Sequence, residues 1–190
     1  MEQGYAVAVA QARAGDPMAF RQLVEAHSRA VFRLAFRITA NEQDAEDVVQ
    51  ETFLKLHRNL DKFEDRSTLS TWIYRIATNS ALDLIRSRKR HQQGREPENP
   101  EGVAAVDRLE SSHPAPDRLV LSGELRERVQ LALSRLTPAE RAAFVLRHFE
   151  GQGIEAIAET LGLRQGAAKN TIFRAVSKLR GELKGYAAAS

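Results

Sequence analysis

Apolar residues recur at three- and four-residue intervals along most of the chain and strand-like alternation is almost absent, so the pattern predicts helix after helix. A short first helix near Tyr5–Ala14 ends at Gly15. Asp16-Pro17 then supplies an N-cap and a first-turn proline to a second helix reaching about Thr39, apolar at Phe20, Leu23, Val24, Val31, Leu34, Ala35 and Ile38. Asn41 caps a third, in which Asp44, Glu46 and Asp47 sit at the positive end of the helix dipole and Ala45, Val49, Thr52 and Leu56 turn inward. Its other side gathers Asp47, Gln50, Glu51 and Leu54. Such a mixed acidic, amide and aliphatic face is either solvated or, because of its leucine, a protein-binding surface.

A polar loop over 61–66 holds one aromatic, Phe63, which is either a core plug or a platform for an unpaired base. The helix that follows, Ser67–Arg90, carries an apolar stripe of Leu69, Trp72, Ile73, Ile76, Ala77 and Ser80. Thr71, Arg75, Thr78, Asn79, Asp83, Arg86 and Arg90 fall on its other face. Hydrogen-bonding groups come first there and positive charge last, which suits bases and then phosphates, although solvated arginines on an amphipathic helix give the same pattern.

The periodicity stops at residues 91–117, where Pro97, Pro100, Pro114 and Pro116 stand among Glu96, Glu98, Glu101, Asp107, Glu110 and Asp117. Such a stretch cannot bury a core, so 93–117 is expected to be a flexible acidic linker between domains at 1–92 and 118–190. Its acidity serves solubility or mimics nucleic acid in a basic channel. Beyond it a helix over Leu119–Leu136 is followed by Thr137-Pro138-Ala139-Glu140, a capping box with proline at the first helical position. A short helix Ile154–Leu161, a turn Gly162–Gly166 and a longer helix Ala167–Leu183 then form a helix-turn-helix. Lys169, Arg174, Lys178, Arg180 and Lys184 stud the last helix. A plain helical hairpin with a solvated basic face is the competing reading.

Composition narrows the chemistry. With no cysteine, disulfides, thiolate zinc sites and cysteine nucleophiles are excluded, and the five histidines stand singly, without the i,i+4 pairing that clasps a metal. Neither metal nor cofactor is expected. No apolar run approaches a membrane span and the start has no signal-peptide pattern, so a cytoplasmic protein without membrane insertion is expected. The net charge of +3 is small enough that its distribution matters more than its size.

Three motifs in order make the chain resemble the extracytoplasmic-function sigma factors, two-domain promoter-recognition subunits of bacterial RNA polymerase. Asp44-Ala45-Glu46-Asp47-Val48-Val49-Gln50-Glu51-Thr52-Phe53-Leu54 resembles the family's core-polymerase-binding segment. Thr71-Trp72-Ile73-Tyr74-Arg75-Ile76-Ala77, with Asn79 and Asp83, resembles its promoter-melting segment. Gly162-Leu163, Gly166, Lys169 and Phe173-Arg174-Ala175 resemble its upstream-element reader.

The resemblance implies an all-α chain of two small helical domains ending in a helix-turn-helix, which binds core RNA polymerase through its β′ clamp and β flap and leaves catalysis to it. Asp47, Gln50, Glu51 and Leu54 would meet the clamp. Phe63, Ser67, Arg75 and Asn79 would hold the unpaired −10 strand. Lys169, Asn170, Phe173 and Arg174 would enter the −35 major groove, with Arg164 and Lys178 nearer phosphates. Promoter DNA, duplex and single-stranded, and an anti-sigma factor are the implied partners, and the free chain is expected to be a monomer.

Gly166-Ala167-Ala168-Lys169-Asn170-Thr171 departs from the family's usual Gly-Thr-Val-Lys/Arg-Ser-Arg start, and Val176 stands where an arginine is frequent, which implies weaker phosphate affinity and an unusual promoter sequence. A regulator binding duplex DNA without polymerase would also explain the helix-turn-helix, but not the Asp47–Leu54 or Trp72–Asn79 patterns. An enzyme is the least favoured class, because no nucleophile–base pairing, metal spacing or phosphate-binding glycine loop is present.

Overall fold

The structure, a computed structural model, describes residues 2–63, 67–93, 129 and 131–187, and every structural statement below refers to these. The expected linker, apart from Gln93, and most of the expected helix Leu119–Leu136 lie outside them; residues 131–134 are helical. Each described element is a helix. α1 (Glu2–Arg13), α2 (Pro17–Thr39), α3 (Glu42–Asn59), a 3-10 turn (Leu60–Lys62) and α4 (Leu69–Gln93) make the first unit. α5 (Pro138–His148), α6 (Ile154–Leu161) and α7 (Gln165–Ala187) make the second.

The helix boundaries follow from local chemistry. Asp16 accepts from the N–H groups of Met18 and Ala19 at 2.8 and 3.4 Å, and Pro17 occupies the first position of α2, where its missing N–H costs nothing. α2 ends on Ala40 in the left-handed conformation, φ 57°, whose N–H donates to the Phe36 carbonyl at 2.8 Å. Asn41 follows at once as the cap of α3, its Oδ1 accepting from the Asp44 N–H at 2.9 Å. At the start of α4, the Thr68 hydroxyl accepts from the Thr71 N–H. α1 begins at Glu2, three residues before the expected Tyr5.

α2, α3 and α4 pack against one another and bury Leu23, Val31, Leu34, Ile38, Val48, Leu56 and Ile73. Each of these side chains contributes roughly 1.5–3 kcal/mol when fully removed from water. Thr78, expected on the exposed face of α4, is buried as well. The reason is that α4 touches α2 and α3 on one side and α5 and α6 on another, so its buried arc is wider than a single stripe. Asp44 is buried too, and its carboxylate pairs with Arg88, tying the start of α3 to the last turns of α4. Burial pushes the Asp44 carboxyl above its ordinary range, against the pull of Arg88.

In the second unit the capping box forms as the sequence predicts: Glu140 N–H donates to Thr137 Oγ1 at 3.3 Å and Thr137 N–H to Glu140 Oε2 at 3.0 Å. Gly162 closes α6 in the left-handed conformation, φ 64°, a position that favours glycine. The turn is shorter than expected, because α7 opens at Gln165 and Gly166 is already helical. One apolar cluster runs from the first unit into the second, through Ala142, Ala143, Val145, Leu146, Ile157, Ala158, Ala168 and Ile172. A smaller one joins Ala132, Leu133 and Leu136 to Ala175 and Leu179. Among the described residues no helix is long and apolar enough to cross a membrane, and no group of three acidic or histidine side chains could hold a metal.

Candidate nucleic-acid interface

α3 exposes one edge by helical phase. Asp47, Gln50, Glu51 and Leu54 are all exposed, Leu54 at 52%, because Ala45, Val48, Thr52 and Leu56 commit the opposite edge to the core. Glu51 pairs with Lys55 one turn on, at 3.3 Å. The result is an acidic ridge with an aliphatic tip, which suits a basic groove on a protein partner.

Beside it, where the end of α3 meets α4, Lys55, Asn59, Lys62, Trp72, Ile76 and Asn79 line an open groove of about 480 Å³. Its polar groups are held in a relay: Lys62 Nζ donates to Asn59 Oδ1 at 3.1 Å, Asn59 Nδ2 to the Lys55 carbonyl at 2.9 Å, and Lys55 Nζ to Ser80 Oγ at 3.1 Å. Two ammonium groups, two amides and an indole wall are the groups that take up a phosphate and an unpaired base. Of the residues expected at the −10 strand, Asn79 lines this groove. Phe63 does not: the residue is only 7% exposed, its ring lies against Trp72 with centroids 5.2 Å apart, and the Arg13 guanidinium is over it at 5.9 Å. Arg13 also donates to the Phe63 carbonyl. Phe63 is therefore a core plug that backs the indole, which corrects the reading of it as a free stacking platform.

Ser67 is exposed ahead of α4, away from the groove lining. Arg75 is turned toward the second unit, where its guanidinium pairs with Glu159 on α6. Sequence reasoning missed Lys55, Asn59 and Lys62. Their i, i+4, i+7 spacing was the available signal, but what makes it a groove is the approach of Trp72 from another helix.

In the second unit, α7 presents Asn170, Phe173 and Arg174 with Ala167 around an open concavity of about 330 Å³. Phe173 is 72% exposed, an unusual position for a large aromatic on a helix that has a core to fill. Lys169 and Arg164 are exposed nearby. Thr171 is buried and its hydroxyl donates to the Ala167 carbonyl at 2.9 Å, so it reads nothing. Lys178 also differs from expectation, because its ammonium reaches both oxygens of buried Glu140 at 3.0 and 2.7 Å. It clips α7 to the capped start of α5 rather than standing free for phosphate. Burial works to raise the Glu140 carboxyl, but hydrogen bonds from Lys178 and Thr137 outweigh it and hold the group below its ordinary value.

Around the apolar cluster they share, the two units are also joined by arginines. Arg37 on α2 donates to Glu150 at 3.3 Å and lies over the Phe149 ring at 4.1 Å. Arg141 on α5 donates to the Ile38 carbonyl at 3.0 Å. Tyr74, on α4, has its hydroxyl pushed up to about 12 by burial and then by the charge and hydrogen bond of Glu150.

Two family models match the chain: Sigma-70 region 2 over residues 23–91, and Sigma-70, region 4 over residues 126–179. The chain is 36% identical to the ECF RNA polymerase sigma factor SigE of Mycolicibacterium smegmatis over 84% of its own length and 59% of that relative's. It is 30% identical to the ECF RNA polymerase sigma factor SigW of Bacillus subtilis over 93% of its own length and 95% of that relative's. Among solved structures it resembles the sigma factor RpoE of Bartonella quintana, crystallised with the anti-sigma factor NepR. The TM-score is 0.68 and the identity 28%, over 87% of this chain and 96% of that one.

Proposed function

Because the chain belongs to the ECF RNA polymerase sigma factors, we propose that its first unit binds core polymerase and the unpaired −10 strand while its second unit reads the −35 duplex. Family membership makes it a transcription initiation factor with DNA-binding helical domains, and the regulator acting without polymerase is set aside on that ground. The observation that carries the finer reading is the segregation of chemistry along one helix pair: an acidic ridge on α3 for protein, and a cationic, indole-walled groove at its end for a strand.

In this reading residues 1–92 are the core-binding and −10 domain, 93–117 the linker and 118–190 the −35 domain. Asp47, Gln50, Glu51 and Leu54 dock on the β′ clamp, and the second domain on the β flap. Asn79, with Lys55, Lys62 and Trp72, receives the strand, and Arg75 and Ser67 bind its backbone as it enters. A base set against Trp72 is stacked without being read, whereas the Asn79 amide discriminates by hydrogen bonding. Asn170, Phe173, Arg174 and Lys169 face the major groove, and Arg164 meets phosphate. Catalysis belongs to the polymerase. The chain acts in the cytoplasm, as a monomer when free, under an anti-sigma factor such as the one bound to the B. quintana relative.

The polymerase-binding ridge is tested by Gln50→Ala with Glu51→Lys, two exposed positions whose change leaves the buried face intact. The variant keeps its helicity and loses affinity for core polymerase in competition with the wild-type chain. Equal affinity would overturn the assignment of α3.

A further inference from the structure

We propose that Arg13, in the last turn of α1, is a positioning residue for the strand groove: its guanidinium bridges the carbonyls of Leu60 and Phe63 and so fixes the turn that carries Lys62 and backs Trp72. The inference rests on the reading of that groove as the site of the unpaired −10 strand.

The turn is poorly held by its own backbone. α3 gives way after Asn59 to a single 3-10 turn, Leu60–Lys62, which the Phe63 N–H closes on the Leu60 carbonyl at 3.3 Å, a long bond in an element of poor hydrogen-bond geometry. Carbonyls at the end of a helix lack a partner within it and form the negative end of its dipole, so they favour a cation that can donate. Arg13 meets that need from outside. Its Nε donates to the Leu60 carbonyl at 3.3 Å and a terminal nitrogen donates to the Phe63 carbonyl, so one planar group holds both ends of the turn. The same guanidinium lies 5.9 Å from the centroid of the Phe63 ring.

Two walls of the groove hang on this turn. Lys62 is its last residue, and its ammonium lines the groove and donates to Asn59. Phe63 is buried and its ring meets Trp72 at 5.2 Å, with 30° between the planes, so the indole cannot tilt back unless the phenyl ring moves. A stacking wall held in place before the base arrives loses less freedom on binding. α1 packs on α2 and on this turn, and Val9 and Ala12, buried on the side of α1 that carries Arg13, give the arginine a fixed base. The Sigma-70 region 2 match begins at residue 23, so the bridge comes from outside the matched segment.

In the free full chain, acrylamide quenches Trp72, the only tryptophan, more readily in Arg13→Met than in wild type, while far-UV circular dichroism shows unchanged helicity. Assembled with core polymerase, the wild-type chain selects a preferred strand from a randomised pool of single strands of about 12 nucleotides, beyond what core polymerase alone selects. Arg13→Met binds that strand about tenfold more weakly, within what one stacked base contributes. Arg13→Lys keeps the charge but cannot bridge two carbonyls, and its affinity falls between; it carries the same comparison if Arg13→Met is unstable. In a Phe63→Leu background Arg13→Met costs little more, because the two residues act through one another. The slope of log K against log salt stays at its wild-type value. A slope flattened by about 0.7 would mean that Arg13 holds a strand phosphate itself, and would refute the positioning role. Wild-type affinity in both Arg13 variants, or losses that add in full with Phe63→Leu, would refute it equally. Asn79→Ala, measured alongside, separates the two levels: if it too leaves affinity unchanged, the groove is not the strand site and the role of Arg13 falls with it. If Asn79→Ala weakens binding and the Arg13 variants do not, the groove stands and the role of Arg13 alone is lost.

Discussion

Lys178→Met separates a structural role for this lysine from a DNA-contacting one. The ammonium bonds both oxygens of Glu140, whose side chain is almost fully buried while the lysine is about half exposed. Breaking a buried pair costs about 3–5 kcal/mol and breaking a surface pair about 0–1 kcal/mol. With one end in water and the Thr137 N–H still bonded to the carboxylate, the loss here is about 1–2 kcal/mol. Both units are helical, so far-UV circular dichroism in urea reports the two together, while the fluorescence of Trp72, the only tryptophan and in the first unit, marks the first unit's transition. Glu140 titrates below its ordinary 4.5 in the folded protein, so its contribution is present above that value and is lost as the pH falls through the lower, folded one. Removing Lys178 moves that loss to higher pH. Meanwhile the salt dependence of −35 duplex binding stays unchanged, whereas a phosphate contact would flatten the slope of log K against log salt by about 0.9. Intact stability together with such a flattened slope would refute the structural role.

Asn170→Ala changes the base preferred at one position of the −35 element by about 1–3 kcal/mol of discrimination, read by transcription from a library randomised there; unchanged preferences would show that α7 is docked in another register. Burial holds the His27 imidazole below its ordinary 6.5, so its contribution to stability is full above that pH and is lost as the pH falls toward the folded value. His27→Gln should therefore flatten the decline in urea midpoint between neutral and mildly acidic pH, and an unaltered decline would place the acid sensitivity elsewhere. Ala40 adopts a left-handed conformation that a Cβ disfavours, so Ala40→Gly stabilises the first unit by about 0.5–1 kcal/mol in denaturant unfolding; a loss would mean that unfolded-chain entropy dominates there.

What could be read from the sequence was what local chemistry decides. Asp16, Asn41 and Thr137 cap their helices through partners two or three residues away, and all three were visible as patterns. The exposure of Asp47, Gln50, Glu51 and Leu54 follows from helical phase alone. Where a side chain's partner is distant, the pattern misled. Phe63 reads from the sequence as either a core plug or a stacking platform, and Trp72 and Arg13, which decide for the plug, come from other elements. Lys178 looked like a free base because Glu140 lies 38 residues away, and Arg75 because Glu159 lies 84 residues away. Thr78 was placed outside because periodicity assumes one buried stripe, and α4 has neighbours on two sides. The lining of the groove by Lys55, Asn59 and Lys62 is likewise a product of tertiary approach.

Whether this chain directs polymerase to two-part promoters through the α4 groove and the α7 face is decided by adding the full chain to core RNA polymerase on genomic DNA and sequencing the transcript 5′ ends. New start sites are expected that share one upstream and one −10 motif, with Asn79→Ala altering only the −10 motif and Asn170→Ala only the upstream one. Start sites identical to those of core polymerase alone, or both variants changing the same motif, would contradict it.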